Sequence, residues 1–387
     1  MSEPIRYGIV GLGRAGWDIH VHELRPRADA RIVAVADPVA ERREQAAAEF
    51  GCKAYPNLAK LLKQDDVDVV VIATPSVSHA PDTRKALAAG KHVVVEKPMA
   101  MSVAEADSMI AASEVAGKNV FVHQNYRFRP EFVHLKETID SGIIGRVYHM
   151  RQALFSFVRR NDWQTLAKNG GGVLNNTCPH FIDQILQLMG GRVTQVMGDL
   201  QQIVSSGDVE DHVKALLRSD NGCTADLEIS TAQHVLPPPP KWTLCGTNGT
   251  LVSDGVTSTI RWFDPSQVQP LPVVDGPAQN RKYGNADKLP WQEKTIPAEG
   301  SDKTVFYDNV YGVIRRNEPM RVTPKSVREV IRVIAMIRKG TKFPGKTKAL
   351  TPSTGTPGEG RGEGRSAASA NVDRLNSRSR PSPQPSP

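Results

Sequence analysis

The chain has 387 residues, a length that predicts two domains and a short tail. Hydrophobic residues make up 39% and charged residues 23% of the sequence, as in an ordinary globular protein, and no apolar run reaches the roughly 18 residues of a membrane span. The net charge of +8 is modest and falls partly in the C-terminal end, so we expect neither a nucleic-acid partner nor a membrane partner.

The four cysteines indicate a reducing compartment. They are scattered along the sequence and form no Cys-x-x-Cys pair, which argues against a disulfide framework and against a zinc site. The first residues lead directly into a strand-like run and show no secretory pattern. We therefore expect a cytoplasmic protein without a bound metal.

Short apolar runs alternate with helical patterns over the first third of the chain. This alternation is typical of βαβ units, and it predicts an α/β Rossmann fold with a doubly wound parallel sheet in residues 1–124. The helix after Pro98 has clear ends, because Ser102 and Glu105 can form a capping box and Gly117 suits a C-terminus. The predicted strands are residues 5–10, 31–36, 67–73, 92–96 and 119–123.

From about residue 146 the pattern changes to longer runs with alternating faces. They predict an α+β domain with a large, mainly antiparallel sheet in residues 125–344, and Asn248-Gly249 is a hairpin signal within it. A last helix, over about residues 324–339, begins with Thr323 and Pro324 and is expected to pack back on the first domain. The predicted strands are residues 147–157, 195–203, 212–217, 223–230 and 242–245.

The C-terminal end changes composition again. Beyond residue 344 the sequence consists mainly of Gly, Ser, Pro and Arg, which bury too little apolar surface to offset the entropy of ordering the chain. Residues 345–387 are therefore predicted to be a disordered tail.

A glycine motif joins the first predicted strand to a helix. Gly11, Gly13 and Gly16 form Gly-x-Gly-x-x-Gly, which permits a tight turn, a close approach of a pyrophosphate and close packing of helix on strand. The intervening Leu12, Arg14 and Ala15 complete a loop whose N–H groups can bind phosphate.

The end of the second predicted strand indicates which dinucleotide binds. Asp37 lies at the distance along the chain where an acidic residue binds the ribose hydroxyls of NAD and repels the phosphate of NADP. Arg42 and Arg43 follow closely, so NADP also stays possible as the cofactor.

Several motifs together resemble the glucose-fructose oxidoreductase, inositol dehydrogenase and rhizopine-catabolism family, known as Gfo/Idh/MocA. The resemblance covers roughly residues 5–344. The matching stretches are residues 10–16, Ala36-Asp37, Ile72-Ala73-Thr74-Pro75 with His79, Ala89-Gly90-Lys91-His92, Glu96-Lys97-Pro98, Tyr126-Arg127-Phe128, Gly170-Gly171-Gly172 with His180 and Asp183, and Phe306-Tyr307-Asp308-Asn309.

The resemblance implies a cofactor cleft in the first domain. Thr74, Pro75 and His79 would line it near the nicotinamide half, and Glu96 and Lys97 would end a strand there. A lysine at the carboxyl end of a parallel strand points into the ligand crevice, where its ammonium can stabilise an alkoxide or relay a proton.

The resemblance also implies a catalytic group in the second domain. His180 is predicted near a helix N-terminus, where the helix dipole keeps the imidazole neutral and able to act as a base. Many members of the family have an aspartate at the position of Asn176, and an amide cannot stabilise an imidazolium by charge. Either Lys97 then carries more of the proton transfer, or Asp183 supplies the missing charge, or turnover is slow.

Four further side chains are predicted to contact the substrate together with Asn176 and His180. They are Tyr126, Arg127, Trp163 and Asp183.

The leading hypothesis is an NAD(P)-dependent oxidoreductase that transfers hydride between nicotinamide and a carbinol carbon of a sugar, an inositol or a sugar derivative. Two alternatives stay open: an NAD-dependent glycoside hydrolase of the same family, and a non-catalytic protein that senses NAD or sugar. The resemblance implies a homo-oligomer, either a dimer or a tetramer, formed through the open face of the sheet.

Overall fold

The computed structural model describes residues 3–273, 275–277, 288–299 and 305–343. Two sheets organise these residues, one of six strands and one of eight. None of the helices in these ranges is long and apolar enough to cross a membrane. The predicted tail over residues 345–387 lies outside the described residues.

The first sheet is parallel throughout, with the strand order β3-β2-β1-β4-β5-β6. Its central strands are continuous runs of Val and Ile because helices cover both faces. Sequence patterns missed β3, which has only three residues. The strands are β1 (Ile5–Val10), β2 (Ala30–Ala36), β3 (Lys53–Tyr55), β4 (Val69–Ile72), β5 (His92–Val95) and β6 (Val120–Val122).

The helices between these strands begin and end where local sequence allows. A π-helical turn, Ala15–Val21, follows the glycine loop and continues into α1 (His22–Leu24). The side chain of Ser102 accepts the N–H of Glu105 at 3.2 Å, and Gly117 ends that helix in the left-handed conformation, as predicted. The other helices are α2 (Ala40–Phe50), α3 (Leu58–Leu61), α4 (His79–Ala88) and α5 (Val103–Ala116).

The second sheet has the order β14-β13-β12-β11-β7-β10-β9-β8 and is antiparallel except between β7 and β10. The predicted hairpin at Asn248-Gly249 joins β11 to β12. The strands are β7 (Val147–Phe155), β8 (Val193–Gln201), β9 (His212–Ser219), β10 (Thr224–Ser230), β11 (Trp242–Gly246), β12 (Gly249–Ser253), β13 (Thr257–Trp262) and β14 (Gln292–Pro297). The predicted fold class, a Rossmann fold followed by a mainly antiparallel α+β domain, is confirmed.

The last two helices return to the first sheet. They are α9 (Val305–Arg316) and α10 (Pro324–Arg338), and they follow α6 (Pro130–Asp140), α7 (Val173–Asn176) and α8 (Cys178–Met189). Tyr307 of α9 packs edge-on against Tyr7 of β1 with ring centroids 5.7 Å apart. Contacts join α10 to α5 and β6 as well as to α8 and β8, and Arg328 pairs with Asp107 at 2.6 Å. The last helix therefore contacts α5 and β6 as well as elements of the second sheet.

Candidate cofactor and active site

The glycine loop leaves room for a ligand at one of its three glycines. A Cβ on Gly11 would lie 2.5 Å from the carbonyl oxygen of Ala73, and a Cβ on Gly16 would lie 1.8 Å from that of Gly11. These two glycines are therefore required by the fold. A Cβ on Gly13 would meet nothing nearer than Arg42 Nη1 at 3.9 Å, so this position faces open space. That space at the head of a helix suits a pyrophosphate.

Asp37 is anchored to the same loop. One carboxylate oxygen accepts the N–H of Leu12 at 2.7 Å, and the other accepts the N–H of Val39 at 2.8 Å. Arg42 Nη1 lies 3.8 Å from the carboxylate, and Arg43 Nη1 donates to the Asp37 carbonyl at 2.6 Å. A second lone pair on each oxygen can still accept a ribose hydroxyl, so the geometry fits the predicted contact.

His79 positions the cleft rather than lining it with its ring nitrogens. These two nitrogens lie 2.7 Å from the carbonyl oxygen of Pro98 and 2.9 Å from that of Thr74. The side chain is buried and occupied by protein groups. Its ring therefore ties the segment of Thr74 and Pro75 to the segment after Lys97, and a direct cofactor contact of His79 stays a prediction.

Lys97 links the two domains. Its Nζ donates to the backbone carbonyl of Asn176 at 2.7 Å, across 79 positions of sequence. Burial lowers the pKa of Lys97 and the charges of Arg14 and Arg160 add to this lowering, while Glu96 opposes it. The contact uses the backbone of residue 176, so its side chain, whether Asn or Asp, does not decide whether the lysine is anchored.

His180 is held as a neutral ring. It stacks on Tyr126 with ring centroids 3.8 Å apart and an interplanar angle of 13°, and Arg129 lies on Tyr126 at 3.3 Å from the ring centroid. Burial, followed by the charge of Lys97, lowers the pKa of His180 well below its usual range. Among the described residues its Nδ1 has no hydrogen-bond partner, although the atom is buried. A buried orphan acceptor or donor of this kind is suited to a ligand hydroxyl.

The glycine run before His180 is shaped by contacts with the rest of the protein. Gly170 and Gly172 have φ of +76° and +98°. A Cβ on Gly172 would lie 2.2 Å from Glu210 Oε1, which itself accepts the N–H of Leu174 at 2.9 Å. Glu210 thus fixes the start of α7, the short helix that ends at Asn176. Sequence patterns gave no signal for it.

Arg127 and Asp183 form an ion pair with each other. Arg127 Nε donates to Asp183 Oδ2 at 2.7 Å and Nη2 donates to Oδ1 at 2.5 Å, and Asp183 is 1% exposed. Arg127 also donates to Ser326 Oγ at 3.0 Å, at the start of α10. Burial raises the pKa of Asp183, and the arginine opposes that shift. Both carboxylate oxygens accept from Arg127, so the charge of Asp183 is paired within the protein, and the substrate contacts of this pair stay predictions.

Trp163 begins a short 3-10 turn near the glycine run. Asp162 caps this turn and pairs with Arg160 at 2.6 Å, and Trp163 is 42% exposed. An exposed indole at this position stays a predicted wall of the substrate pocket.

The carboxylate of Glu96 faces a buried cluster instead of the cofactor cleft. Glu96 Oε1 accepts a hydrogen bond from His123 Nδ1 at 3.0 Å and lies 3.1 Å from His20 Nε2. The donor atoms of these three side chains lie within 4.8 Å of one another, a spacing seen in metal sites. The His123 hydrogen bond already uses its ring nitrogen and the carboxylate oxygen, so protons account for the contact. The cofactor contact of Glu96 stays a prediction, and the carboxylate contacts that the structure shows are to protein groups.

Comparison with known proteins identifies both domains. Residues 5–124 match a family model described as the NAD-binding Rossmann fold of an oxidoreductase family, and residues 132–252 match the GFO/IDH/MocA C-terminal domain. Together the two models match more than half of the chain.

Similar proteins include enzymes and a solved structure. A 1-carboxy-3-chloro-3,4-dihydroxycyclohexa-1,5-diene dehydrogenase of Comamonas testosteroni is 35% identical over 59% of this chain and 59% of its own length. A myo-inositol 2-dehydrogenase of Thermotoga maritima is 28% identical over 66% of this chain and 77% of its own length. An NAD-binding protein from Listeria innocua superposes with a TM-score of 0.74, at 28% identity, over 87% of this chain and 97% of that structure.

The chain spans about three fifths of the length of the first curated relatives that it matches. The family models and the fold agree with the motif resemblance and with the loop geometry. The chain therefore belongs to the Gfo/Idh/MocA oxidoreductase family, and its first domain is the NAD-binding Rossmann domain of that family.

Proposed function

We propose that the chain is an NAD-dependent dehydrogenase that moves hydride between nicotinamide and a carbinol carbon of a sugar, an inositol or a related polyol. One observation carries this proposal. Lys97, at the end of β5 in the first domain, bonds to Asn176 in the second, four residues before the neutral His180. An ammonium group and an imidazole that can accept a proton are the pair that oxidation of an alcohol requires.

The proposed cofactor domain, residues 1–124, holds NAD(H) through its glycine loop and Asp37. The open space over Gly13 and the N–H groups of the following helix suit the pyrophosphate, and the buried Asp37 suits the ribose. NADP is a weaker candidate, supported by Arg42 beside the carboxylate. When bound, the nicotinamide ring accepts or donates the hydride.

In the proposed reaction, His180 accepts the proton of the substrate hydroxyl and Lys97 stabilises the charge on its oxygen. His180 is neutral because burial and Lys97 disfavour its charged form, so it can take the proton of the substrate hydroxyl as hydride leaves the carbon. The Lys97 ammonium stabilises negative charge on the reacting oxygen. We propose that Asn176 orients the substrate through its amide, while its carbonyl holds Lys97 in place.

Polyhydroxylated rings are the proposed substrate class. The names of two similar enzymes specify a dihydroxylated cyclohexadiene and an inositol, both cyclic and both carrying carbinol carbons. The exposed indole of Trp163 can give a sugar ring an aromatic wall, whereas both faces of Tyr126 are covered, one by His180 and the other by Arg129.

The test is NADH formation from a polyol panel that includes myo-inositol and scyllo-inositol. Lys97→Ala should abolish turnover while the protein still binds NADH, because the glycine loop is untouched. Lys85→Ala, at an exposed lysine that pairs with Asp82, is the matched control. Turnover near the wild-type rate in Lys97→Ala would show that the assignment is wrong. Substrate cleavage without net NADH would favour the glycosidase alternative, and binding without turnover would favour the sensor.

We also propose a homo-oligomer that covers the outer face of the second sheet. Met197 and Leu216 are 71% and 42% exposed on β8 and β9, beside paired charges of Lys214, Asp226 and Glu228. Such a face suits a self-complementary contact. Light scattering would measure the mass, and a monomer at micromolar concentration would contradict the proposal.

The four cysteines are free, which supports the proposed cytoplasmic location.

A further inference from the structure

A buried cluster of ionisable side chains lies directly behind the strand end that carries Lys97. We call it the Glu96 cluster, and it consists of His20, Glu23, Glu96, His123 and Tyr307. It draws on the π-helical turn, on α1, on the ends of β5 and β6, and on α9. Four of its members, His20, Glu96, His123 and Tyr307, are each less than 9% exposed.

Glu96 is the centre of this cluster, because both of its carboxylate oxygens are used. Oε1 accepts from His123 Nδ1 at 3.0 Å and lies 3.1 Å from His20 Nε2. Oε2 accepts the backbone N–H of Lys97 at 3.0 Å. The carboxylate therefore holds the backbone of the neighbouring lysine and is itself held from the opposite side.

The surrounding side chains keep this carboxylate charged. Burial opposes ionisation of Glu96, but the charge and hydrogen bond of His123 and the contact with His20 hold the pKa of the carboxyl well below its usual range. Burial likewise opposes the charged form of His123, but Glu96 and Glu23 raise the pKa of His123 to about 9. Burial lowers the pKa of His20, whose Nδ1 lies 2.7 Å from the hydroxyl of Tyr307.

The charges that face Lys97 are unequal in sign. Arg14 and Arg160 lie close enough to disfavour its ammonium form, as burial does, and His180 beside it is neutral. Glu96 is the negative charge that acts in the opposite direction. Without it, the named charges that act on the lysine would all be positive.

We propose that Glu96 is a positioning residue for Lys97: the Glu96 carboxylate fixes the lysine backbone and places a negative charge behind the side chain that stabilises the reacting oxygen. His123 and His20 hold that carboxylate in place, and Tyr307 holds His20. This inference rests on the proposed role of Lys97 and extends it to a carboxylate that does not touch the substrate.

The experiment titrates Lys97 directly and needs no substrate. The lysines of the full chain are methylated reductively with ¹³C-formaldehyde, and each dimethylamine signal is followed by NMR against pH. The Lys97 signal is assigned by its loss in Lys97→Arg. The variants are Glu96→Gln, His123→Gln and Tyr307→Phe, each checked for folding by thermal unfolding and for NADH binding.

The expected shifts have opposite signs. Glu96→Gln removes a negative charge near the ammonium and should lower the Lys97 midpoint by about one pH unit. His123→Gln removes a positive charge behind Glu96 and should raise it by a smaller amount. Tyr307→Phe changes no charge and should leave the midpoint unmoved. A packing role alone would not give shifts of opposite sign, so this pattern supports the proposal.

Three results would overturn the proposal. One is an unmoved midpoint in folded Glu96→Gln, and another is an equal shift in Tyr307→Phe. A third is one equivalent of transition metal in the purified wild-type protein, because a metal would replace the proton between His123 and Glu96. If Glu96→Gln does not fold, an unmoved or lowered midpoint in His123→Gln overturns the proposal. The proposed function fails separately, through turnover by Lys97→Ala, so the two failures are distinguishable.

Discussion

The protein has two glycine-rich loops that face the same cleft and use their glycines differently. In the loop after β1, Gly11 and Gly16 avoid backbone clashes and Gly13 leaves open space. In the run before α7, Gly172 makes room for the carboxylate of Glu210, and a Cβ on Gly171 would lie 2.1 Å from the carbonyl oxygen of Gln164. The first loop leaves space for a ligand, whereas the space beside the second loop is filled by Glu210 and by the backbone of Gln164.

This difference explains which loop could be interpreted without a structure. The first loop depends on contacts within a strand-turn-helix unit whose spacing is itself the signal. The second depends on Glu210, 38 positions beyond Gly172, and on Arg338, which donates to Asn175 Oδ1 at 2.9 Å from α10. A glycine run alone does not reveal which distant side chain fills the space beside it.

The largest effect is expected at Gly16. Gly16→Ala would place a methyl group 1.8 Å from the carbonyl oxygen of Gly11, so we expect loss of NADH binding and a large fall in melting temperature. Gly13→Ala is the control, because its Cβ meets no protein atom within 3.9 Å and the fold should survive. NADH fluorescence should show weaker binding by Gly13→Ala, about tenfold or more, since the added methyl blocks the pyrophosphate. If Gly13→Ala binds NADH as tightly as the wild type, the space over Gly13 does not hold the pyrophosphate, and the proposed difference between the two glycine loops is wrong.

The next largest effect is expected at the ion pair of Arg127 and Asp183 in the second domain. Arg127→Met leaves a buried carboxylate without its partner, and such a loss costs roughly 3–5 kcal/mol of unfolding free energy. The double variant Arg127→Met with Asp183→Leu removes both charges and should recover most of that loss. Denaturant titration measures both. If Arg127→Met has the same free energy of unfolding as the wild type, the ion pair does not stabilise the second domain.

Gly172→Ala should have an intermediate effect. The strain at φ +98° and the clash with Glu210 should cost about 2–3 kcal/mol and lower turnover, while NADH affinity is retained. Gly222→Ala separates the two causes, since it has φ +86° and its added Cβ meets no atom within 4 Å. Equal losses in the two variants would mean that Glu210 contributes nothing beyond backbone strain.

The smallest effect is expected at Arg42. This guanidinium is half exposed and 3.8 Å from Asp37, so solvent screens its charge. Arg42→Ala should weaken NADPH binding by about threefold and leave NADH binding unchanged. A loss of tenfold or more for NADPH, measured by fluorescence titration, would show that the first loop also recognises the 2′-phosphate.

The fold was predictable where periodicity is local. Five of the six strands of the first sheet, the capped helix that begins after Ser102 and the hairpin at Asn248-Gly249 are confirmed, because each depends on neighbouring residues. The three-residue strand β3 and the π-helical turn at Ala15–Val21 were not predicted, because both segments are too short to show a repeating hydrophobic pattern.

The sequence indicated which residues border the candidate site, but it only partly indicated which groups their polar atoms contact. Lys97 and His180 are brought near each other through Asn176, whereas His79, Glu96, Arg127 and Asp183 have protein partners that the motifs did not indicate. The partners of His79 are 5 and 19 positions away, and those of Glu96 and Arg127 are 27 and 56 positions away. Position in a motif indicates which cleft a residue borders, and only packing decides which way its polar atoms face.

The return of α9 and α10 has a consequence for synthesis of the chain. Tyr307 packs on β1 and α10 packs on α5 and β6, so part of the cover of the N-terminal sheet comes from residues near the end of the described chain. On the ribosome this sheet must wait, with apolar strands partly bare, until about residue 338 has left the exit tunnel. A nascent chain stalled before α9 is therefore expected to depend on chaperones, whereas a self-contained nucleotide-binding domain would already be closed.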